Sequence, residues 1–117
     1  ALSGAHLIAV PTAQMVPFDF VAEHVVRVRA WENQVYFAYV NHDGSEADTV
    51  YVGKSSIVAP SGDVVSKVEY GDGLIFGTVD TDVVRDSQTE NPYLLDLRPK
   101  LYDRLVAVQP NHSAAEL

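Results

Sequence analysis

Apolar positions in this chain change period several times, and each change marks an element. Residues 6–10 form a continuous apolar run of strand length closed by Pro11, the pattern of a strand buried on both faces of a helix-covered sheet. A loop over residues 11–17 follows. Asp19 is placed to cap a helix, and from Phe20 the apolar residues Val21, Val25, Val28 and Trp31 recur at helical spacing. Glu23 and Arg27 stand as a favourable i,i+4 pair, so a helix is predicted over residues 20–33. Its valines are mediocre helix formers, which leaves packing to hold it.

Residues 35–41 are rich in aromatic and β-branched side chains and read as a second buried strand, with Asn41-His42-Asp43-Gly44 as the turn after it and a polar loop to residue 49. Residues 49–59, 64–70 and 74–80 are three further strand candidates. Pro60-Ser61-Gly62-Asp63 and Gly71-Asp72-Gly73 join them with turn chemistry, predicting an antiparallel meander. Asp80 then caps a short helix over residues 81–88, Asn91-Pro92-Tyr93 breaks it, and a last turn runs to Leu105. Residues 1–105 are assigned to one domain, and residues 106–117, which have no period, to a tail. Strand, helix, strand and then hairpins predict an α/β fold, a mixed β-sheet with helices packed on one face. The other face is left apolar and needs a second layer from a missing N-terminal half or a partner chain.

A chain of 117 residues, 47% of them hydrophobic, can bury one core. The formal charge of −8 argues against nucleic acid or an anionic membrane surface as partner. There is no cysteine, so disulfides and thiolate metal sites are excluded, and a cytoplasmic location is the expectation. No apolar run approaches the roughly 18 residues of a membrane span, and the first residues lack the pattern of a signal peptide. The absence of an initiator Met, with Gly4 in the place of a helix C-cap, leads to the expectation that the chain begins inside a longer protein.

Three blocks carry a family resemblance: Leu7-Ile8-Ala9-Val10-Pro11-Thr12-Ala13, then Arg29-Ala30-Trp31-Glu32-Asn33-Gln34 leading into Val35-Tyr36-Phe37-Ala38-Tyr39-Val40-Asn41, then Gly53-Lys54-Ser55-Ser56-Ile57-Val58-Ala59-Pro60-Ser61-Gly62. In this order the chain resembles the C-terminal half of a nitrilase-superfamily carbon-nitrogen hydrolase, over residues 2–105. Pro11-Thr12-Ala13 and the Ala30 to Gln34 block look most like bacterial aliphatic amidases, with nitrilases and N-carbamoyl amine hydrolases as near relatives.

The resemblance implies half of a nitrilase-type α-β-β-α sandwich, likeness to a homo-oligomeric family, no cofactor, and a small amide or nitrile as substrate. In that family a Glu base, a Lys and a Cys nucleophile converge at the strand ends. The thiolate attacks the amide carbon, ammonia leaves, and water hydrolyses the thioester. All three precede the strand matching residues 7–10, so no catalytic residue is carried onto this chain and the Cys is expected outside it. What carries over is a pocket wall: Pro11, Thr12, Ala13, Gln14 and Met15, with Phe18 close behind, are the candidate substrate-binding residues. A loop at the carboxyl end of a strand in an open α/β sheet suits that role, although Pro11 and Thr12 can equally stop the strand and Phe18 plug the helix start. Arg29, Glu32 and Asn33 match the family's structural hydrogen-bonding block at the helix end.

Other chemistries read weakly. His6, His24, His42 and His112 have no ligand spacing, so no metal is expected. Asp43, Glu46 and Asp48 lack the twelve-residue calcium pattern and read as a solvated loop. Ser55 and Ser56 lie outside a nucleophile elbow. Two function classes therefore stand: part of an amide hydrolase whose cysteine lies elsewhere, or a non-catalytic half-domain that self-associates through its exposed sheet face.

Overall fold

The computed structural model describes residues 1–103; the turn at Leu105 and the tail over residues 106–117 lie outside them. Six strands and two α-helices form the described part. The main sheet has the order β1 (Leu7–Thr12), β2 (Tyr36–Asn41), β5 (Ser56–Val58), β6 (Val64–Lys67). β1 and β2 are parallel, and the β2/β5 and β5/β6 pairs are antiparallel. β3 (Asp43–Glu46) and β4 (Thr49–Val52) form a separate antiparallel ribbon. The crossover from β1 to β2 is a π-helical turn, Val21–Val25, that continues into α1 (Val26–Asn33); α2 is Thr81–Glu90.

The crossover helix lies on the sheet through small side chains. Ala22, Val26 and Ala30 are buried against Tyr39, Val52 and Val58, with Val10 and Phe37 beside them. This corrects the stripe read from the sequence: Val28 and Trp31 are about half exposed, at 54% and 49%. The Val26 N–H bonds back to the Val21 carbonyl, five residues away as in a π turn, and residues four to five apart then share a face. That brings Ala22, Val26 and Ala30 into one line. Glu23 and Arg27 do not pair either. Glu23 bonds Lys54, and the Arg27 guanidinium donates to the Gly62 carbonyl at 2.8 Å. Asp19 gives the helix no side-chain cap and stands 3.4 Å from the Lys54 ammonium instead.

β1 continues through Pro11, which pairs in register with Val40, rather than stopping at it. It is an edge strand, where a residue without an N–H costs no ladder bond. It is not buried on both faces: Ile8, Val10 and Thr12 are half-buried while Leu7, Ala9 and Pro11 are exposed. Ile8 and Val10 pack into the two cores that the helices form with the sheet, so the alternation along β1 shows directly as exposure. Leu7 and Val40 are left 41% and 53% exposed on the sheet.

The residues read as a polar loop after β2 form the β3–β4 hairpin, turning at Ala47 and Asp48. The polar sequence Gly44-Ser45-Glu46 has no strand pattern of its own; Val50 and Tyr51 across the ladder supply the partners. The long strand candidate over residues 49–59 is broken after Val52, because Gly53 and Lys54 both adopt left-handed backbone, with φ of 64° and 55°. The third strand of the expected meander is absent. Residues 74–80 have no regular structure, and Gly77 passes so close to the sheet that a Cβ there would stand 3.2 Å from Val65 Cγ1 and 3.3 Å from Ile57 Cδ1. The segment crosses the sheet instead of pairing with its edge.

α2 begins as its sequence predicts. The Asp80 carboxylate accepts from the Asp82 N–H at 2.9 Å. Val84 is buried against Val35 and Tyr36, a second small core that also takes in Ile8, Phe37 and Ala59.

Candidate functional site

The parallel β1–β2 pair sends both carboxyl ends in one direction, where ligands bind in open α/β sheets. β1 leads there into residues 13–18, and β2 into His42 and the β3–β4 ribbon. Thr12 pairs in register with Asn41, and its carbonyl accepts from the His42 N–H at 3.0 Å. Ala13 is exposed and Gln14 half-buried. Met15 bridges Tyr51, and the Val16 N–H bonds the Val50 carbonyl at 2.9 Å, so the loop is laid along β4. The Val16–Pro17 peptide is cis. Phe18 follows, 52% exposed, and does not plug the helix start. Five of the six candidate pocket residues thus run consecutively along one rim, with Phe18 three positions on; Thr12 and Gln14 are half-buried and the other four exposed.

Asn41 organises that rim, and the sequence showed it only as the end of a strand and the start of a turn. Its Oδ1 accepts from the Gln14 N–H at 2.7 Å, and its Nδ2 donates to the carbonyls of Gly53 at 2.8 Å and Gln14 at 3.4 Å. The Asn41 backbone N–H donates to Ser55 Oγ at 2.9 Å, and that hydroxyl donates to the Asn41 carbonyl at 3.2 Å. A side-chain amide reproduces a strand's donor and acceptor pair where no strand is available. The usable signal was a polar residue closing an apolar strand with no turn glycine directly behind it.

Beyond the loop, Lys54 sits between Glu23 and Asp19, its side chain 13% exposed. The hydrogen bond that the Lys54 ammonium donates to Glu23, reinforced by the charge of Glu23 and by Asp19, raises its pKa well above the usual lysine range. On the other flank the Asp43 carboxylate accepts from the Gly71 and Gly44 N–H groups, which hold it below the usual carboxylate range. His42 stacks edge-on against Tyr51 with ring centroids 4.4 Å apart.

Arg29, Glu32 and Asn33 lie at the other end of the crossover helix. Arg29 Nη1 is 2.5 Å from Glu32 Oε1, and Asn33 Nδ2 donates to the Arg29 carbonyl at 3.0 Å, so they bond to one another and to the helix's own last turn. Next to them a cavity of about 420 Å³ opens between Trp31, Pro60, Asp86, Ser87 and Tyr93. Gln34, in left-handed backbone, reaches behind it and donates to the Ser87 carbonyl at 2.7 Å. Among the described residues no group of three or more His, Asp or Glu is placed to hold a metal ion.

A rim without a nucleophile is part of an active site or none. A family model described as carbon-nitrogen hydrolase matches residues 1–88. The chain belongs to the carbon-nitrogen hydrolase family. A Pseudomonas protegens protein named "Hydrolase in pqqF 5'region" is 50% identical over 105 residues, 90% of this chain and 37% of that protein. An amidase from Nesterenkonia sp. superposes with a TM-score of 0.71 at 30% identity, over 89% of this chain and 36% of that one. In a structure of a glutamate-to-glutamine mutant of the amidase from Nesterenkonia sp. AN1, acrylamide has added to the active site cysteine; it matches with a TM-score of 0.64 at 32% identity, over 76% of this chain and 35% of that one. The chain thus spans little more than a third of the length of these proteins. The fold is that of these nitrilase-superfamily amidases, in part.

Proposed function

We propose that this chain is the pocket-forming C-terminal portion, residues 1–105, of an amidase that hydrolyses a small amide to a carboxylate and ammonia. The observation that carries the proposal is the superposition on the Nesterenkonia amidase, which places β1, its loop and β2 in a fold whose solved relative has an active site cysteine. In this reading the nucleophile, its base and its oxyanion partner come from the part of the protein that this chain, with no cysteine, does not contain. The thiolate attacks the amide carbon, the C–N bond breaks as the nitrogen takes a proton and leaves as ammonia, and water cleaves the thioester to release the acid. The loop formed by Pro11, Thr12, Ala13, Gln14, Met15 and Phe18 borders the substrate. A nitrile or N-carbamoyl amine in place of the amide is the nearest variation on the same chemistry. A cytoplasmic, homo-oligomeric enzyme belongs to the same proposal and rests on composition and resemblance.

The test is the intact mass and subunit composition of natively purified material, with ammonia release from a panel of small amides before and after thiol alkylation. Ammonia release that alkylation abolishes, in material containing a cysteine-bearing portion, supports the reading. A lone 117-residue species that releases no ammonia sinks it and leaves the self-associating half-domain, which the exposed Leu7 and Val40 on the sheet would favour.

A further inference from the structure

The loop over residues 13–18 has no secondary structure of its own beyond one bridge to Tyr51, yet its path is fixed at both ends. At its start one side chain, Asn41, both accepts from and donates to the Gln14 peptide and donates to Gly53. The Gln14 carbonyl also takes the Val52 N–H at 2.9 Å, so Asn41, Gln14 and the end of β4 form a closed ring of bonds. At its end Lys54, the residue after Gly53, holds Asp19 and Glu23 at the head of the crossover helix. The left-handed backbone at Gly53 and Lys54 turns the Gly53 carbonyl toward Asn41 and the Lys54 side chain toward the helix. Two consecutive residues therefore serve the two ends of one loop.

We infer that Asn41 is a positioning residue for the substrate amide: it fixes the Gln14 and Met15 backbone that borders the pocket, without touching the substrate, and Lys54 holds the loop's far end. This rests on the amidase reading above. Hydrogen bonds from a single rigid amide set position to a few tenths of an ångström, and displacements of about 1 Å in a binding wall carry rate effects of up to about 100-fold. Because the loop borders the bound substrate and not the reacting bond, the loss appears first in KM.

The experiment compares parent, Asn41→Ala and Asn41→Asp in the complete enzyme, with this chain joined to its cysteine-bearing part. Asn41→Asp keeps the size of the side chain but has no donor and sets a carboxylate against the Gly53 and Gln14 carbonyls, which pushes it off the Gln14 peptide, and it serves where Asn41→Ala does not fold. Two quantities are read: residue-resolved hydrogen exchange at Gln14, and KM and kcat for a small aliphatic amide. Faster exchange at Gln14 with KM raised about 10-fold and kcat changed less supports the inference. A purely structural role would lower the active fraction, and so kcat, at unchanged KM. Unchanged KM in an active parent overturns the inference alone, as does unchanged exchange at Gln14. No ammonia release by the parent overturns the amidase reading and this inference together.

Discussion

At the amino end of β2, Val35 and Tyr36 are packed under α2, with Val35 and Val84 essentially inaccessible to water. At the carboxyl end of the same strand, Asn41 is half-buried and bonds to three backbone groups from two other segments. Burying a valine contributes about 1.5–3 kcal/mol and tolerates small shifts of the helix that covers it. Each net hydrogen bond contributes about 0.5–1.5 kcal/mol but holds only within a narrow distance and angle. One end of the strand therefore demands apolarity and forgives geometry, and the other demands geometry and forgives polarity. The end with exact geometry is the one that presents the loop.

The largest effect expected from this contrast is at the apolar end. Val84→Asp places a carboxylate against Val35 and Tyr36, in a cluster otherwise filled by Ile8, Phe37 and Ala59, and should destabilise by about 3–5 kcal/mol. Urea unfolding measures it. A loss below about 1 kcal/mol would show that α2 is a loosely attached flap and that the amino end is not closed by burial.

The polar end should respond to backbone geometry more than to chemistry. At Gly53, with φ of 64°, an added Cβ would lie 2.7 Å from Asp43 Oδ1 and 2.9 Å from its Cγ. Gly53→Ala then strains a left-handed residue by roughly 1–2 kcal/mol and pushes the Asp43 carboxylate off the Gly71 N–H. The thermal midpoint should fall, and the same variant should loosen the Gln14 amide in hydrogen exchange, because the Gly53 carbonyl is one of Asn41's acceptors. A fall in stability with Gln14 protection untouched would separate the two and break the contrast at this end.

What the sequence made legible divides along the same line. The second strand, the β5–β6 hairpin and the Asp80-capped helix follow from period, turn and capping chemistry, which act over a few residues, whereas the crossover helix was legible as a span but not in its cap or its buried face. The Leu7 to Ala13, Arg29 to Asn41 and Gly53 to Gly62 blocks carried the family. The segment after β1 was legible as a loop, but not the bonds from Asn41 to Gln14, 27 positions away, because an asparagine that closes a strand looks the same whether it makes a turn or holds a loop. The strand expected over residues 74–80 failed for a related reason. Leu74, Ile75, Phe76 and Val79 suit a strand, yet a segment that must pass Gly77 against Val65 and Ile57 crosses the sheet face and cannot join its edge. The helix stripe shifted because the π turn changes the period, and no residue type announces that.

A smaller effect is expected where α2 starts. Asp80→Ala removes the acceptor of the Asp82 N–H and should cost about 1 kcal/mol, seen as a lower thermal midpoint and faster exchange in the first turn of α2. Because Val84 is held by burial one turn further on, the rest of the helix should keep its protection. Loss of protection throughout α2 would mean that the cap, not Val84, fastens the amino end.

The smallest effect, and the most specific to the polar end, is on pH dependence. Asp43 is kept below the usual carboxylate range first by the Gly71 N–H and then by the Gly44 N–H. A carboxyl group whose folded value is depressed contributes stability that is present above its unfolded value of about 3.9 and is lost as pH falls through the folded one. Asp43→Asn cannot ionise, so the parent should exceed it in thermal midpoint at pH 5 to 7, and the two should converge as the pH falls below about 4. The Lys67 ammonium, which depresses Glu69 in the same sense, is present in both proteins and cancels in the difference. A difference that stays constant down to low pH would mean that Asp43 acts through its shape alone, and that the turn at Gly71 is not held to the ribbon by charge.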